Sequence, residues 1–254
     1  ANDGILAKID LNGNLLWHRY VGTAGNESLT DIVPDGTGGF MIAGRSTGDI
    51  ANAGTVVVSH TDPGTVQMMA IFVDADGTPL RQSHFGGTGD DTAFQAGADS
   101  GGFLLGGNSN ANFDASFNQT RNAFSGGAAT DFVFVSIDAN GSYQWHTYHG
   151  AAAAGDDISH LSELPDGRLL AGGQSANTWG TPGSPHPASG TVPASALFIM
   201  DAEGAIEWNG FYGPSTGGGV GVVSAFPGNA ADEIVFVSFT DAETFRWSGA
   251  DLHP

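Results

Sequence analysis

Carboxylates return at one place along this chain of 254 residues: Asn26-Glu27, Asp90-Asp91 and Asp156-Asp157, with Gly218-Gly219 at the matching point further on. A hard cation such as Ca2+ takes roughly six to eight oxygen ligands, so acids brought together from several such points could share one. Glu27, Asp90, Asp91, Asp156 and Asp157 are therefore the candidate Ca2+ ligands, provided that the strands they introduce surround a common axis. Two other readings stand beside this one. Each carboxylate can instead accept N–H groups of an adjacent turn and tie neighbouring elements together, because a charged acceptor makes a strong hydrogen bond. Alternatively, carboxylates such as Asp91 and Asp157 can act as a general acid and base on a polysaccharide. No cofactor beyond such a cation is indicated.

Other chemistry-bearing residues point less clearly to a site. His146 and His149 are three residues apart, which puts them on opposite faces of a strand and makes them a poor metal pair. Asp157, Ser159 and His160 are triad residue types, but adjacency along a strand is not triad geometry, and no nucleophile elbow accompanies them. Three loops, at 47–66, 110–130 and 176–195, each run about 20 residues, which is long for a connection between strands. They carry Phe113, Phe117, Phe124 and Trp179. These aromatics either present themselves to a glycan or a protein partner, or fold back and cap the sheets beneath; residues 56–60 of the first loop can add a short strand.

The elements that must position these residues recur with a period of 64. Segments 5–17, 69–81, 131–145 and 197–208 superimpose, placing Asp10, Asp74, Asp138 and Asp201 at steps of 64, 64 and 63. Gly13, Gly77, Gly141 and Gly204 follow in step, so each copy reads as an apolar strand, an Asp-x-x-Gly turn and a second strand. That second strand carries Trp17, Trp145 and Trp208, with Arg81 in the remaining copy. A second hairpin follows in 27–46, 91–109 and 157–175, with a degenerate copy in 219–240. Its closing strands, such as FMIAG (40–44) and FLLGG (103–107), are continuously apolar and imply sheets covered on both faces. Repeats of this kind predict an array of similar units rather than a fold built around one catalytic pocket.

Composition narrows the partners. Forty glycines and 11 prolines suit a turn-rich all-β chain, and no stretch has sustained helical periodicity. Seven basic residues against 27 acidic ones give a net charge of −20, which repels nucleic acid and anionic lipid. The absence of cysteine rules out disulfides and thiolate sites. No apolar run is long enough to span a bilayer as a helix, so no membrane insertion is expected.

The run FVFVSIDANGSYQW (132–145), then Gly155-Asp156-Asp157, then PDG (165–167) with LLAGGQS (169–175), resembles the bacterial SBBP repeats of seven-bladed-propeller type, and more loosely the delta-60 repeats. The likeness covers nearly the whole chain. It departs at Arg81 and in the last copy, which lacks both Gly-Asp-Asp and the closing Gly-x-Ser. What it implies is an all-β propeller forming one domain over 1–254, with blades near 27–87, 91–150 and 157–213. The first hairpin at 4–22 and the last at 219–240 are complementary halves, so joining them would complete a fourth blade and close the ring; alternatively the chain is a four-repeat piece of a larger ring or array. The resemblance further implies a secreted or cell-surface protein with a binding, adhesive or structural role, taking a protein or glycan partner or assembling with itself.

Overall fold

Alternating apolar and polar residues, punctuated by Asp, Asn and Gly, give strands along the whole chain. The computed structural model describes residues 2–62, 64–99, 101–127, 129–152, 155–183, 193–213, 220–227 and 233–240, and these contain strands but no helix. Gly218-Gly219 and residues 184–192 of the third long loop lie outside the described residues.

β1 (Gly4–Ile9) and β2 (Leu15–Val21) form a two-stranded sheet. β3 (Ser28–Pro34), β4 (Phe40–Ser46), β5 (Thr55–Val58), β6 (Gln67–Val73) and β7 (Pro79–Phe85) form a five-stranded sheet in the order β3-β4-β6-β7-β5. All its pairs are antiparallel except β5 with β7, so residues 55–58 do add the short strand. β8 (Asp91–Asp99), β9 (Gly102–Ser109), β10 (Asp131–Asp138) and β11 (Tyr143–His149) make a four-stranded sheet in chain order. β12 (Asp156–Glu163), β13 (Leu169–Ser175), β14 (Ala194–Met200) and β15 (Ile206–Tyr212) make another. β16 (Val220–Pro227) and β17 (Ile234–Thr240) close the series as a two-stranded sheet. Each terminal hairpin is a two-stranded sheet of its own, half the strand number of the four-stranded sheets between them. Two compact units divide the chain, Ala1–Gln119 with Val135–Trp145 and Thr120–Phe134 with His146–Pro254, the boundary crossing β10 and β11.

The Asp-x-x-Gly segments are turns. Asp10 Oδ1 accepts the N–H groups of Asn12 and Asn14 at 2.8 and 2.9 Å, and Asp74, Asp138 and Asp201 hold their own turns in the same way. The glycines sit at φ of 86°, 74°, 84° and 81°, a region that glycine enters without a Cβ penalty. Three of the turns are also docking points. Lys8 Nζ and Arg19 donate to the carbonyls of Ala75 and Asp76, and the Trp17 ring lies against Gly77. Arg81 donates to the Ala139 carbonyl and Ser83 Oγ to that of Gly141, at 2.7 Å for the latter. His149 Nε2 bonds the Gly204 carbonyl at 3.1 Å. Arg81 therefore fills the tryptophan position in kind: its guanidinium covers the Phe72 ring at 4.1 Å while reaching the next turn.

The first strand of each second hairpin carries a bulge at the same point, at Leu29/Asp31, Ala93/Gln95, Ile158/His160 and Val222/Ser224. The extra residue reaches the neighbouring sheet: Thr30 Oγ1 donates to the Ala93 carbonyl at 2.9 Å, and Ser159 Oγ to that of Val222. Such bulges bend a strand and re-aim a side chain.

The apolar strands are covered on both faces as their composition predicts, and β6 is buried at every residue. In the first unit Val21, Ile42, Met69 and Ile71 form one core, and in the second Leu164, Leu170, Leu197 and Val222 form another.

Candidate functional site

Three of the recurrent acids, Glu27, Asp91 and Asp156, are buried ties. Glu27 accepts Thr23 N–H at 2.8 Å and the Thr23 and Ser46 hydroxyls at 2.7 and 3.1 Å. Asp91 Oδ2 accepts Gly87 N–H at 2.9 Å, and Asp156 Oδ2 accepts Ala151 N–H at 3.2 Å. Each carboxylate reaches back onto the loop that leads into its own strand. Asp90 is exposed and accepts Val66 N–H, while Asp157, half-buried, accepts Gln174 Nε2 at 2.8 Å. Among the described residues no three His, Cys, Asp or Glu side chains gather as a metal-binding group, so the expected convergence of Glu27, Asp90, Asp91, Asp156 and Asp157 on one cation is not formed. The reason is local: Glu27, Asp91 and Asp156 turn toward backbone N–H groups of the loops that lead into their own strands, while Asp90 and Asp157 are held by Val66 N–H and the Gln174 amide.

These ties strain the ionised form. Asp91 is fully buried, its Oδ1 has no partner among the described residues, and burial pushes its pKa up to about 7 against the pull of the Ser109 hydroxyl and Gly87 N–H. Asp156 is raised to about 7 for the same reason, with Asp131 adding repulsion. The Ser109 hydroxyl also lies 2.7 Å from Ala111 O, and that of Ser175 2.9 Å from Asn177 O, so each serine links an acid's surroundings to the loop beyond its strand. A glycine makes room beside each acid. A Cβ at Gly86 would lie within 3.0 Å of Asp91 Oδ2, and one at Gly150 within 3.0 Å of the Asp131 and Asp156 carboxylates. These columns, Gly86/Gly150 and Ser109/Ser175, recur in the sequence at nearly the same period, but only the carboxylates packed on them explain why.

The loop aromatics are caps. Phe117 is 5% exposed and meets Phe113, Tyr143 and Phe85 with ring centroids 5.6, 5.1 and 6.0 Å away. Phe124 is half-buried against Tyr148. Trp179 is 8% exposed, edge-on to Phe198 and Phe211 and stacked on His149. Phe113, Phe117 and Trp179 are thus not surface anchors, because the sheets below offer apolar area that outweighs any exposed role.

Folding back also covers sheet edges. Residues 120–122 run parallel to β11: Arg121 N–H donates to His146 O at 2.8 Å, Tyr148 N–H to Asn122 O, and Asn122 Nδ2 to Tyr148 O. This repeats the way β5 lies along β7, and Asn209 holds Trp179 O and Gly183 N–H in a third version. Covering an edge removes a row of unpaired backbone groups.

In the second unit this arrangement leaves a cavity of about 340 Å3. The edge segment contributes Arg121 and Asn122, β11 contributes Thr147 and His149, and the third loop contributes Trp179. The Asp201–Gly204 turn and the start of β15 close it with Gly204, Ala205 and Ile206. His149 bonds a carbonyl oxygen, which only accepts, so Nε2 carries the proton. Burial lowers its pKa to about 4, keeping the ring neutral. Nothing in the period pointed to Arg121; its signal was being one of few cations, on a long loop. Neither Asp91 nor Asp157 lines this cavity. Compared with known proteins, the chain matches no family model and no curated protein, and the chemistry of the site rests on its own residues.

Proposed function

We propose that the chain is a non-enzymatic binding module, a propeller of four repeats that acts at a bacterial cell surface or in an extracellular assembly and engages a glycan or protein there. On this reading the blades are the sheets at 28–85, 91–149 and 156–212, with the two terminal hairpins counted together as the fourth. Recurrence supports the propeller: the same turn, bulge and docking contact return from sheet to sheet, and the likeness to SBBP repeats points the same way. The observation that carries the binding role is the cavity beside Trp179, walled by the long loops on which repeat scaffolds place variable function. The buried acids are engaged in ties, which favours recognition over turnover.

The test is binding to fixed bacterial cells and to their extracellular polysaccharide, with Ala205→Trp as the variant that fills the cavity. The wild type should bind and A205W should not, at unchanged Tm. Equal binding by both would overturn the assignment of the role to this cavity. Release of new reducing ends from the polysaccharide would overturn the non-enzymatic reading.

A further inference from the structure

The cations of this acidic chain are mostly engaged. Lys8, Arg19 and Arg81 donate to turn carbonyls, and Arg168 to Asp166 and Glu207. The exposed guanidinium groups of Arg45 and Arg121 have no acceptor among the described residues, and of the two only Arg121, whose backbone N–H is bonded to His146 O, stands at the wall of the cavity. In a chain of net charge −20, an anion meets general repulsion and needs a local partner to be held. A guanidinium offers five donors in a planar fork that matches a carboxylate.

The remaining walls ask for more than a carboxylate. Asn122 uses its Nδ2 on Tyr148 O, which leaves its side-chain oxygen as an acceptor. His149 uses its Nε2 proton on Gly204 O, so its Nδ1 also accepts, and it has no partner among the described residues. Two acceptors beside a cation suit a ligand carrying hydroxyl donors as well as a negative charge. Ala205, Ile206 and Trp179 add apolar lining against which the C–H face of a ring can lie. The volume, about 340 Å3, is at the small end of ligand pockets, which run from roughly 300 Å3 upward. That is room for one or two sugar rings.

Building on the binding role proposed above, we infer that this cavity takes a uronate residue of an acidic polysaccharide, with Arg121 on the carboxylate and Asn122 and His149 on the ring hydroxyls. A fully ionised dicarboxylate has no donor and would leave both acceptors unmatched. An acidic peptide is the competing class, and it is separated by experiment.

Calorimetry with the trimers of galacturonate, glucuronate and mannuronate, their carboxyl-reduced neutral counterparts and a glutamate hexapeptide decides the matter. At least one uronate trimer should bind, its neutral counterpart at least tenfold more weakly. Arg121→Gln should weaken the uronate at least tenfold and leave the neutral trimer and the Tm unchanged. If acid and neutral trimers bind equally and A205W abolishes both, the cavity remains a binding site and the assignment to an anion fails. Preference for the hexapeptide overturns the sugar class. No binding by any uronate trimer, or binding that ignores Arg121→Gln, overturns the inference outright.

Discussion

The Thr30 hydroxyl donates to the Ala93 carbonyl at 2.9 Å, joining the bulge of one sheet to the strand just ahead of the bulge in the next. Ser159 does the same to Val222. A β-bulge breaks a ladder, and here the residue it frees makes a bond between sheets instead. Thr30→Val keeps the shape and removes the donor, leaving the Ala93 carbonyl without this partner. Urea denaturation should show a loss of about 1 kcal/mol. An unchanged midpoint would mean that the bond contributes nothing net.

Gly86 and Gly150 should tolerate no side chain. Alanine at either would press a methyl group on a buried carboxylate, and overpacking of this kind costs about 1–3 kcal/mol. Gly48 is the control, since a Cβ there meets nothing within 4 Å and its φ is not positive. Thermal melts of G86A, G150A and G48A should separate the first two from the third.

Trp179→Ala should destabilise the protein by about 3–5 kcal/mol, the range for removing a large buried aromatic. The measurement is equilibrium unfolding of the second unit's aromatic cluster, followed by near-UV dichroism. A loss below 1 kcal/mol would show that the ring is a surface feature after all.

Stability should peak near pH 6.5. His84, His146 and His149 have pKa values lowered by burial to about 4 from 6.5, so the folded state binds fewer protons and loses stability as pH falls from 6.5 to 4. Asp91 and Asp156 are raised to about 7 from 3.8, so the folded state binds more protons and loses stability as pH rises from about 4 to 7. Three histidines outweigh two aspartates between pH 4 and 6.5, and the aspartates alone act from there to 7. In Tm measured against pH, Asp91→Asn should gain on the wild type across pH 4 to 7 and hold a constant offset above it.

Deleting residues 1–22 tests the role of the first hairpin. Val21 and Leu6 pack on the core that contains Ile42 and Met69, so the truncated chain should unfold or associate through the apolar surface left bare. A monomeric truncation with the original melting temperature would show the hairpin to be dispensable.

How far the sequence carried these conclusions depends on the range of the interaction. The Asp10 and Asp138 turns were legible because Asp and Gly act within a few residues of themselves. The apolar strands β6, β10 and β14 were legible for a similar reason, their composition matching cover on both faces. The acids stayed ambiguous between ligand and tie, because the choice depends on which N–H group the folded loop presents. The aromatics Phe117 and Trp179 were ambiguous too, since a ring in a long loop has the same letters whether it faces in or out. The run of 120–122 along β11 left no trace, because a short parallel edge segment has no period of its own.

The docked turns give the chain a polarity. At three boundaries the earlier sheet supplies the donor and the later turn supplies the carbonyl: Lys8 to Ala75, Ser83 to Gly141, His149 to Gly204. A segment one period long, cut anywhere, therefore carries one plug and one socket of matching kind. Such a segment is a transferable part. Gene duplication can add or remove a copy without inventing a new interface, and the pairing tolerates different donors because any N–H or O–H that reaches the same carbonyl will serve. Arg81, which stands where other copies have tryptophan, donates to the Ala139 carbonyl, whereas the Trp17 ring packs on Gly77.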